Sequence, residues 1–284
     1  MQLWLKLMRA PLSAKLGMAI VAVNVACVVF APWLAPFGET EIVGQSWVPG
    51  FWGADVQGAP ATWLGTDHLG RDVLTRLIFG ARNSIVIALV TTILSFSLGI
   101  TTGLLAAAMR GWVDQILSRT VDLMMGFPTL IFALMVLAVI GSSIPAVIGV
   151  IALLDATRVF RITRAVATDI AAQDYVEVAR LRGEGMGWIM RREILPNAIT
   201  PLAAEFGLRF CFVFLFVATL SFIGLGVQPP AADWGSMVKE NSAAISFGIL
   251  MPLFPAAAIA LLTVAINLII DWTGATAGGV HDDH

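Results

Sequence analysis

The chain has 284 residues, 58% of them hydrophobic and only 13% charged, with a formal net charge of −2 and a mean hydropathy of +0.87. Soluble domains run nearer half apolar and a quarter charged, so the composition excludes an ordinary soluble enzyme or binding module and indicates a membrane protein. No basic tail or stripe offers a nucleic-acid surface, and the two cysteines, Cys27 and Cys211, lie inside apolar runs as packing residues rather than a disulfide or metal pair.

About 20 apolar residues cross a bilayer as a helix, so charge-free windows mark the spans. Lys15 to Glu39 leaves 23 uncharged residues, and Arg82 to Arg110 leaves 27. Asp122 to Asp155 leaves 32, interrupted at Gly141–Pro145; Arg209 to Asp233 leaves 23, and Glu240 to Asp271 leaves 30. The 32-residue window is too short for two whole helices, so each runs past its charged end. The windows predict six spans, near 16–36, 84–108, 118–140, 145–163, 199–226 and 248–271. Lys6, Arg9 and Lys15 before the first run imitate a secretory signal, but the run exceeds a typical h-region and is read as an uncleaved first helix.

Lysine and arginine in the loops set orientation. With the N-terminus inside, the cytoplasmic segments hold 12 of the 17 basic residues: Lys6, Arg9, Lys15, Arg110, Arg119 and seven arginines from Arg158 to Arg192. Both termini are therefore expected in the cytoplasm. The outer side has one sizeable loop, residues 37–82, whose Trp47, Trp52 and Trp63 suit a membrane-interface belt.

A polar insert, Tyr175 to Asn197, breaks the apolar pattern with seven charges. Tyr175, Val178 and Ala179 share one helical face, and Met186, Ile189, Met190 and Ile194 another, with arginines and glutamates elsewhere. Gly183, Gly185 and Gly187 break the helix between them, and Pro196 is expected to stop the second. Two short amphipathic helices joined by a bend fit a docking element for a partner protein, a segment lying on the membrane surface, or a plain loop. A nucleotide-binding glycine turn is excluded, because no strand precedes it and no GxxxxGK[ST] occurs.

The insert resembles the EAA loop of ABC importer permeases: Glu177, Ala179, Gly183, Leu195 and Pro196 stand at the matching places, with Val178 for the middle alanine and Glu193 for the expected isoleucine. Independently, Gly65-Thr-Asp-His-Leu-Gly-Arg-Asp72, continuing to Arg76 and Gly80-Ala-Arg82, is similar to the segment before the second span in C-type subunits of the dipeptide/oligopeptide/nickel permeases. Asp122 with Phe127-Pro128, and Ser221 to Pro230 followed by Asp233-Trp-Gly235, extend the likeness over about residues 10–272. The tail departs, with Asp271-Trp-Thr-Gly where the family usually ends in a Gly-Asp-Gly-Leu-Arg-Asp-like stretch.

The resemblance implies an all-α membrane protein with six transmembrane helices, a type I ABC importer permease fold with cytoplasmic coupling helices. Residues 1–82 would form an N-terminal segment with the first helix and outer loop, 83–272 the permease core with its EAA loop at 174–197, and 273–284 a cytoplasmic tail. It further implies a bacterial inner-membrane subunit without catalytic or metal-binding residues and no cofactor of its own, ATP and Mg residing on partner ATPases. The partners would be a second permease, two ABC ATPases, a periplasmic or lipid-anchored substrate-binding protein and membrane lipid. Asp174, Tyr175, Glu177, Ala179, Gly183, Leu195 and Pro196 would couple to the ATPase. Gly65, Asp67, Gly70, Arg71 and Asp72 form the outer-loop motif, whose acids and arginine either pair to hold the loop closed or receive the binding protein. The cargo would be di- or oligopeptides, with nickel chelates, opines, glutathione-like compounds or other small solutes as alternatives.

Glu205 and Arg209, four apart in the fifth span, read as a neutralising i,i+4 pair or as part of the translocation path. Asn24 and Asn267 are expected to hydrogen-bond between helices. His68 and the terminal His281-Asp-Asp-His284 invite a metal reading, but the expected topology puts them on opposite membrane faces. A membrane-embedded enzyme would need a nucleophile, base or metal ligands at depth, whereas the spans hold no histidine and only Glu205–Arg209 as an ionic pair. An ion channel would leave the bent insert unexplained.

Overall fold

In lipid a chain must satisfy its own backbone N–H and C=O groups, and these apolar runs do so as helices. The computed structural model describes residues 10–50, 62–109 and 111–277. In chain order the helices are α1 (Leu12–Leu34), α2 (Val73–Met109), α3 (Gly111–Met125), α4 (Thr129–Ile140) and α5 (Ile144–Ala171). There follow α6 (Asp174–Leu181), α7 (Met186–Ile189), a π-turn at Met190–Ile194 and α8 (Leu195–Ile223). The last are α9 (Trp234–Glu240), a 3-10 turn at Ser242–Phe247 and α10 (Leu253–Ala277). Among the described residues strand pairing is limited to two isolated bridges, Ile42 with Arg71 and Thr66 with Asp72.

Among the described residues four helical stretches are long and apolar enough to cross a membrane: α1, α2, Met186–Ile223 and α10. The pair α3 and α4, bent by 89° at Gly126–Pro128, would make a fifth if it is one broken span. α5 has length enough at 28 residues, but Asp155, Arg158 and Arg161 fall inside the expected 145–163 stretch. Helix boundaries shift most at α2, which starts at Val73 rather than near 84. There the Asp72 carboxylate accepts from the Thr75 N–H at 2.7 Å, capping the helix, and Arg76 is carried inside it.

The described residues cluster into two compact units. One lies within Met1–Ala88, Gly141–Val147 and Phe214–His284. In it α1 packs along α10. α1 is kinked at Phe30, two residues before Pro32, which cannot donate to the helix ladder. The Phe214 and Trp234 rings meet edge-on at 6.0 Å.

The other unit lies within Leu89–Ile140 and Ile148–Val213. α2 and α5 approach so closely that a side chain on Gly99 would lie 2.5 Å from Val159 Cβ, a contact only glycine permits. Phe96 and Phe206 pack edge-on at 5.0 Å. At the end of this pair, Leu104 and Ala107 of α2 and Ala167 and Ala171 of α5 form one buried cluster with residues of α6 and α7.

Candidate functional site

The polar insert folds as two short helices, and the cluster on α2 and α5 sets which face turns inward. Val176 and Ala179 of α6 are fully buried there, joined by Ile189 and Ile194. Tyr175 and Val178, expected on the inner face with Ala179, instead lie outward and are 41% and 51% exposed; Leu181 beside them is 81% exposed. Burial at 176 and 179 follows an i,i+3 pair, so the true stripe is offset by one residue from the one containing Tyr175. Asp174 and Glu177 occupy the first turn of α6, where carboxylates favour the helix dipole.

Gly183 makes the bend. Its φ of +81° is the left-handed conformation that glycine adopts without steric penalty. The Gly183 N–H donates to Arg180 O at 2.9 Å and the Glu184 N–H to Ala179 O at 3.2 Å, the paired bonds of a Schellman cap. Pro196, expected to stop the second helix, does not. Helix continues from Met186 to Ile223 because the chain widens into the π-turn, where the Leu195 N–H bonds Met190 O, and Leu195 and Pro196 then open α8. A five-residue bonding register absorbs the donor that proline lacks.

The outer-loop motif builds a compact ion cluster. Asp67 accepts the Leu69 and Arg71 N–H groups at 2.9 and 3.0 Å on one oxygen and the Arg71 guanidinium at 2.7 Å on the other. Glu240, at the end of α9, receives Arg71 Nη2 at 3.1 Å and Arg76 Nη2 at 3.2 Å. The Arg76 side chain is 1% exposed, so its charge depends on these carboxylates. Gly65 and Gly70 flank the cluster at turns, and the His68 N–H donates to Asn241 Oδ1 at 3.1 Å. Asp67, His68 and Glu240 present ligand atoms within 4.8 Å of one another. A cation there would compete with two guanidiniums already held by the same carboxylates, so the group is built as an ion-pair knot.

In the sequence Arg76 falls within the outer motif and Glu240 at the edge of an apolar window, but their pairing does not show there, because they stand 164 residues apart. Asp233, the motif residue before Trp234, is fully buried as the N-cap of α9: it accepts from Ser84 Oγ at 2.7 Å and the Ser236 N–H at 3.0 Å. Burial pushes its carboxyl above the ordinary value, against the opposing pull of those hydrogen bonds.

Glu205 and Arg209 do pair, at 2.5 Å, one turn apart on α8. They are not the only ionic groups there: Asp155 of α5, with its side chain 5% exposed, stands 3.8 Å from Arg209 and accepts from Ser95 Oγ at 2.9 Å. The Arg209 guanidinium also lies 5.2 Å from the Phe212 ring centre. Further along α5, Arg158 reaches Thr129 Oγ1 at 3.1 Å, Arg161 reaches Met125 Sδ at 3.7 Å and Arg164 reaches Asp114 Oδ2 at 2.6 Å. Their three-residue spacing puts all three along one side, toward α3 and α4.

Asn24 and Asn267, expected to bond between helices, donate to carbonyls four residues back in their own helices, Ile20 O and Thr263 O, each at 2.9 Å. An amide in apolar surroundings takes the nearest acceptor. Trp63 is exposed, while the Trp47 and Phe247 rings lie tilted with centroids 5.8 Å apart. Lys6, Arg9, Trp52, Arg110 and the His281–His284 tail lie outside the described residues.

The family model for the binding-protein-dependent transport system inner membrane component matches residues 99–275. The chain is 35% identical over 261 residues to the di/tripeptide transport system permease protein DppC of Pseudomonas aeruginosa, covering 90% of this chain and 84% of that one. It is 34% identical to the glutathione transport system permease protein GsiD of Pectobacterium atrosepticum over 211 residues, 74% of this chain and 70% of the other. A dipeptide permease DppC of Alkalihalophilus pseudofirmus is 30% identical over 91% of this chain and 83% of its own. Among solved structures, an amino acid ABC transporter crystallised with histidines superposes with a TM-score of 0.52 at 22% identity, over 72% of this chain and 94% of that one.

Proposed function

The chain belongs to the family of binding-protein-dependent transport system inner membrane components, and from that premise we propose that it is a peptide importer's permease subunit, driven by ATPases that grip its polar insert. The observation that carries the reading is the insert itself. Its inner residues, Val176, Ala179, Ile189 and Ile194, are fastened to the ends of α2 and α5, while Tyr175, Val178 and Leu181 remain exposed beside charged residues. Such a piece is anchored on one side and open to a partner on the other. Asp174 and Glu177 stand in the first turn of α6, Gly183 makes its bend, and Leu195 and Pro196 open α8.

In this reading the chain makes six crossings: α1, α2, the stretch that contains α4, α5, the Met186–Ile223 helix and α10. Residues 1–82 form the N-terminal segment with the outer loop, 83–272 the permease core, and both termini face the cytoplasm. A second permease completes the path, two ATPases supply ATP and Mg, and an external binding protein delivers cargo over the loop carrying Gly65, Asp67, Gly70, Arg71 and Asp72. The ion cluster of that loop holds it folded for such a contact. Glu205, Arg209 and Asp155 form a charged group beside the path. The chain itself performs no covalent chemistry.

Peptide cargo is supported by the names of the dipeptide and di/tripeptide relatives. Glutathione is the second reading, supported by the relative named for it. The test is uptake of a labelled dipeptide, and in parallel of labelled glutathione, by the assembled transporter in proteoliposomes, alongside copurification of the ATPases with Val178→Glu. Dipeptide uptake with loss of ATPase capture in the variant is expected. Retained capture would remove the insert from the ATPase interface; uptake of labelled glutathione without uptake of the dipeptide would shift the cargo.

A further inference from the structure

The 89° bend separates two helices of different character. α4 is twelve residues without a charge, all apolar but Thr129, whereas α3 is amphipathic, with no buried residue. On the exposed side of α3, Trp112, Ile116, Arg119 and Leu123 form a stripe spaced four, three and four residues apart, with the polar Gln115, Thr120 and Asp122 exposed along its edges. Trp112 and Leu123 are each 72% exposed and Ile116 56%. The opposite side is tied down, Asp114 holding both Arg164 of α5 and Ser118.

From this we propose that α3 does not cross the membrane but lies in its plane, at the level of the lipid headgroups, with its exposed stripe seated on lipid. A stripe of tryptophan, isoleucine and leucine is costly facing water, and an arginine in its middle is costly facing hydrocarbon. The headgroup boundary satisfies both, burying the apolar groups shallowly while the guanidinium meets phosphate.

Depth along α5 agrees. Arg164, which holds α3, lies 20 residues beyond Ile144. At 1.5 Å per residue that is about 30 Å, one hydrocarbon thickness from the start of α5. α4 does not need α3 in order to cross: its helix supplies about 18 Å, and the irregular residues at either end, extended at up to about 3.3 Å each, supply the rest. The bend therefore falls where the chain leaves the hydrocarbon, and a right angle there lays α3 along the surface. The inference rests on the chain being a membrane permease and not on its cargo.

The test uses the whole transporter in vesicles of phosphatidylethanolamine and phosphatidylglycerol, with Cys27→Ser and Cys211→Ser. Single spin labels are placed through Trp112→Cys, Ile116→Cys and Leu123→Cys, and each label's depth is read from its accessibility to oxygen and to a water-soluble nickel chelate. Equal shallow depths, about 5–10 Å below the phosphates, are expected. A depth rising by about 16 Å from position 112 to 123 would make α3 part of a span. Shielding from both reagents would place a protein partner on it, and full nickel access would place it in water; each of these overturns the proposal. Trp112→Phe supplies a label-free check, since it should remove a tryptophan component quenched by lipids brominated near the headgroup. Arg119→Glu should move the label at 116 outward in phosphatidylcholine and further in anionic phosphatidylglycerol vesicles, and an unchanged depth in both would refute the phosphate contact.

Discussion

Replacing Gly183 by alanine isolates the backbone conformation of the bend from everything else. No atom lies within 4 Å of where the new Cβ would stand, so the substitution meets no clash. Its cost is the left-handed φ of +81°, about 1–2 kcal/mol for a residue with a side chain. The turn could instead relax, giving up the Schellman bonds to Arg180 O and Ala179 O, each contributing about 0.5–1.5 kcal/mol. Either route lowers the population of the docked insert by a factor of about 5–30. Asparagine tolerates the left-handed region better, and valine worse, so impairment should rank Gly183→Asn, Gly183→Ala, Gly183→Val. The assay is cargo moved per ATP hydrolysed in proteoliposomes containing the complete transporter, with membrane insertion checked separately. Equal coupling in all three variants and the parent would refute the argument that this turn stiffens the insert.

In the outer loop, Glu240→Ala leaves Arg71 and Arg76 with Asp67 as their one shared carboxylate and should cost up to about 3–5 kcal/mol, seen as earlier unfolding in detergent, whereas an unchanged midpoint would mean that Asp67 alone balances both. Asp155→Asn should cost less than Glu205→Gln in the same assay, because Arg209 keeps its 2.5 Å partner when Asp155 loses charge; equal losses would contradict that ranking. Asp233 binds its proton more tightly folded than unfolded, so its contribution to stability is fully present below its ordinary value of 3.8 and is lost as pH rises through the elevated folded value. Unfolding midpoints followed upward from about that pH should therefore decline less steeply in Asp233→Asn than in the parent, and parallel profiles would count against a raised carboxyl.

The apolar windows of the sequence located nearly every long helix, because length and lack of charge are what a bilayer selects. They could not show where those helices end. Arg76 looked like loop until Glu240 drew it into α2, and Asp155 looked like the close of a window until Ser95 and Arg209 gave it a buried place. Charge is a poor boundary marker once two distant charges neutralise one another. The right angle at Gly126–Pro128 was likewise hidden, since a charge-free stretch from 123 to 140 reads the same straight or folded. In the insert the glycine bend was readable from residue type, but the choice of inner face was not. Tyr175 and Val178 stand within two residues of Val176, and only contact with Ala167 and Ala171 on α5 decides which side turns in.

Ile189 and Ile194 are five residues apart and both buried. On an ordinary α-helix, at about 100° per residue, they would point about 140° apart, and one of them would leave the cluster. The π-turn between them removes most of that angle, acting as a phase correction between the insert and the long helix that follows. Residue number across 190–194 is thus a setting of the molecule. Loss of one residue would restore regular helix and at the same time rotate Pro196 to Ile223 against the docked end, so that a change with no effect on composition or hydropathy would misalign the two ends of one continuous rod.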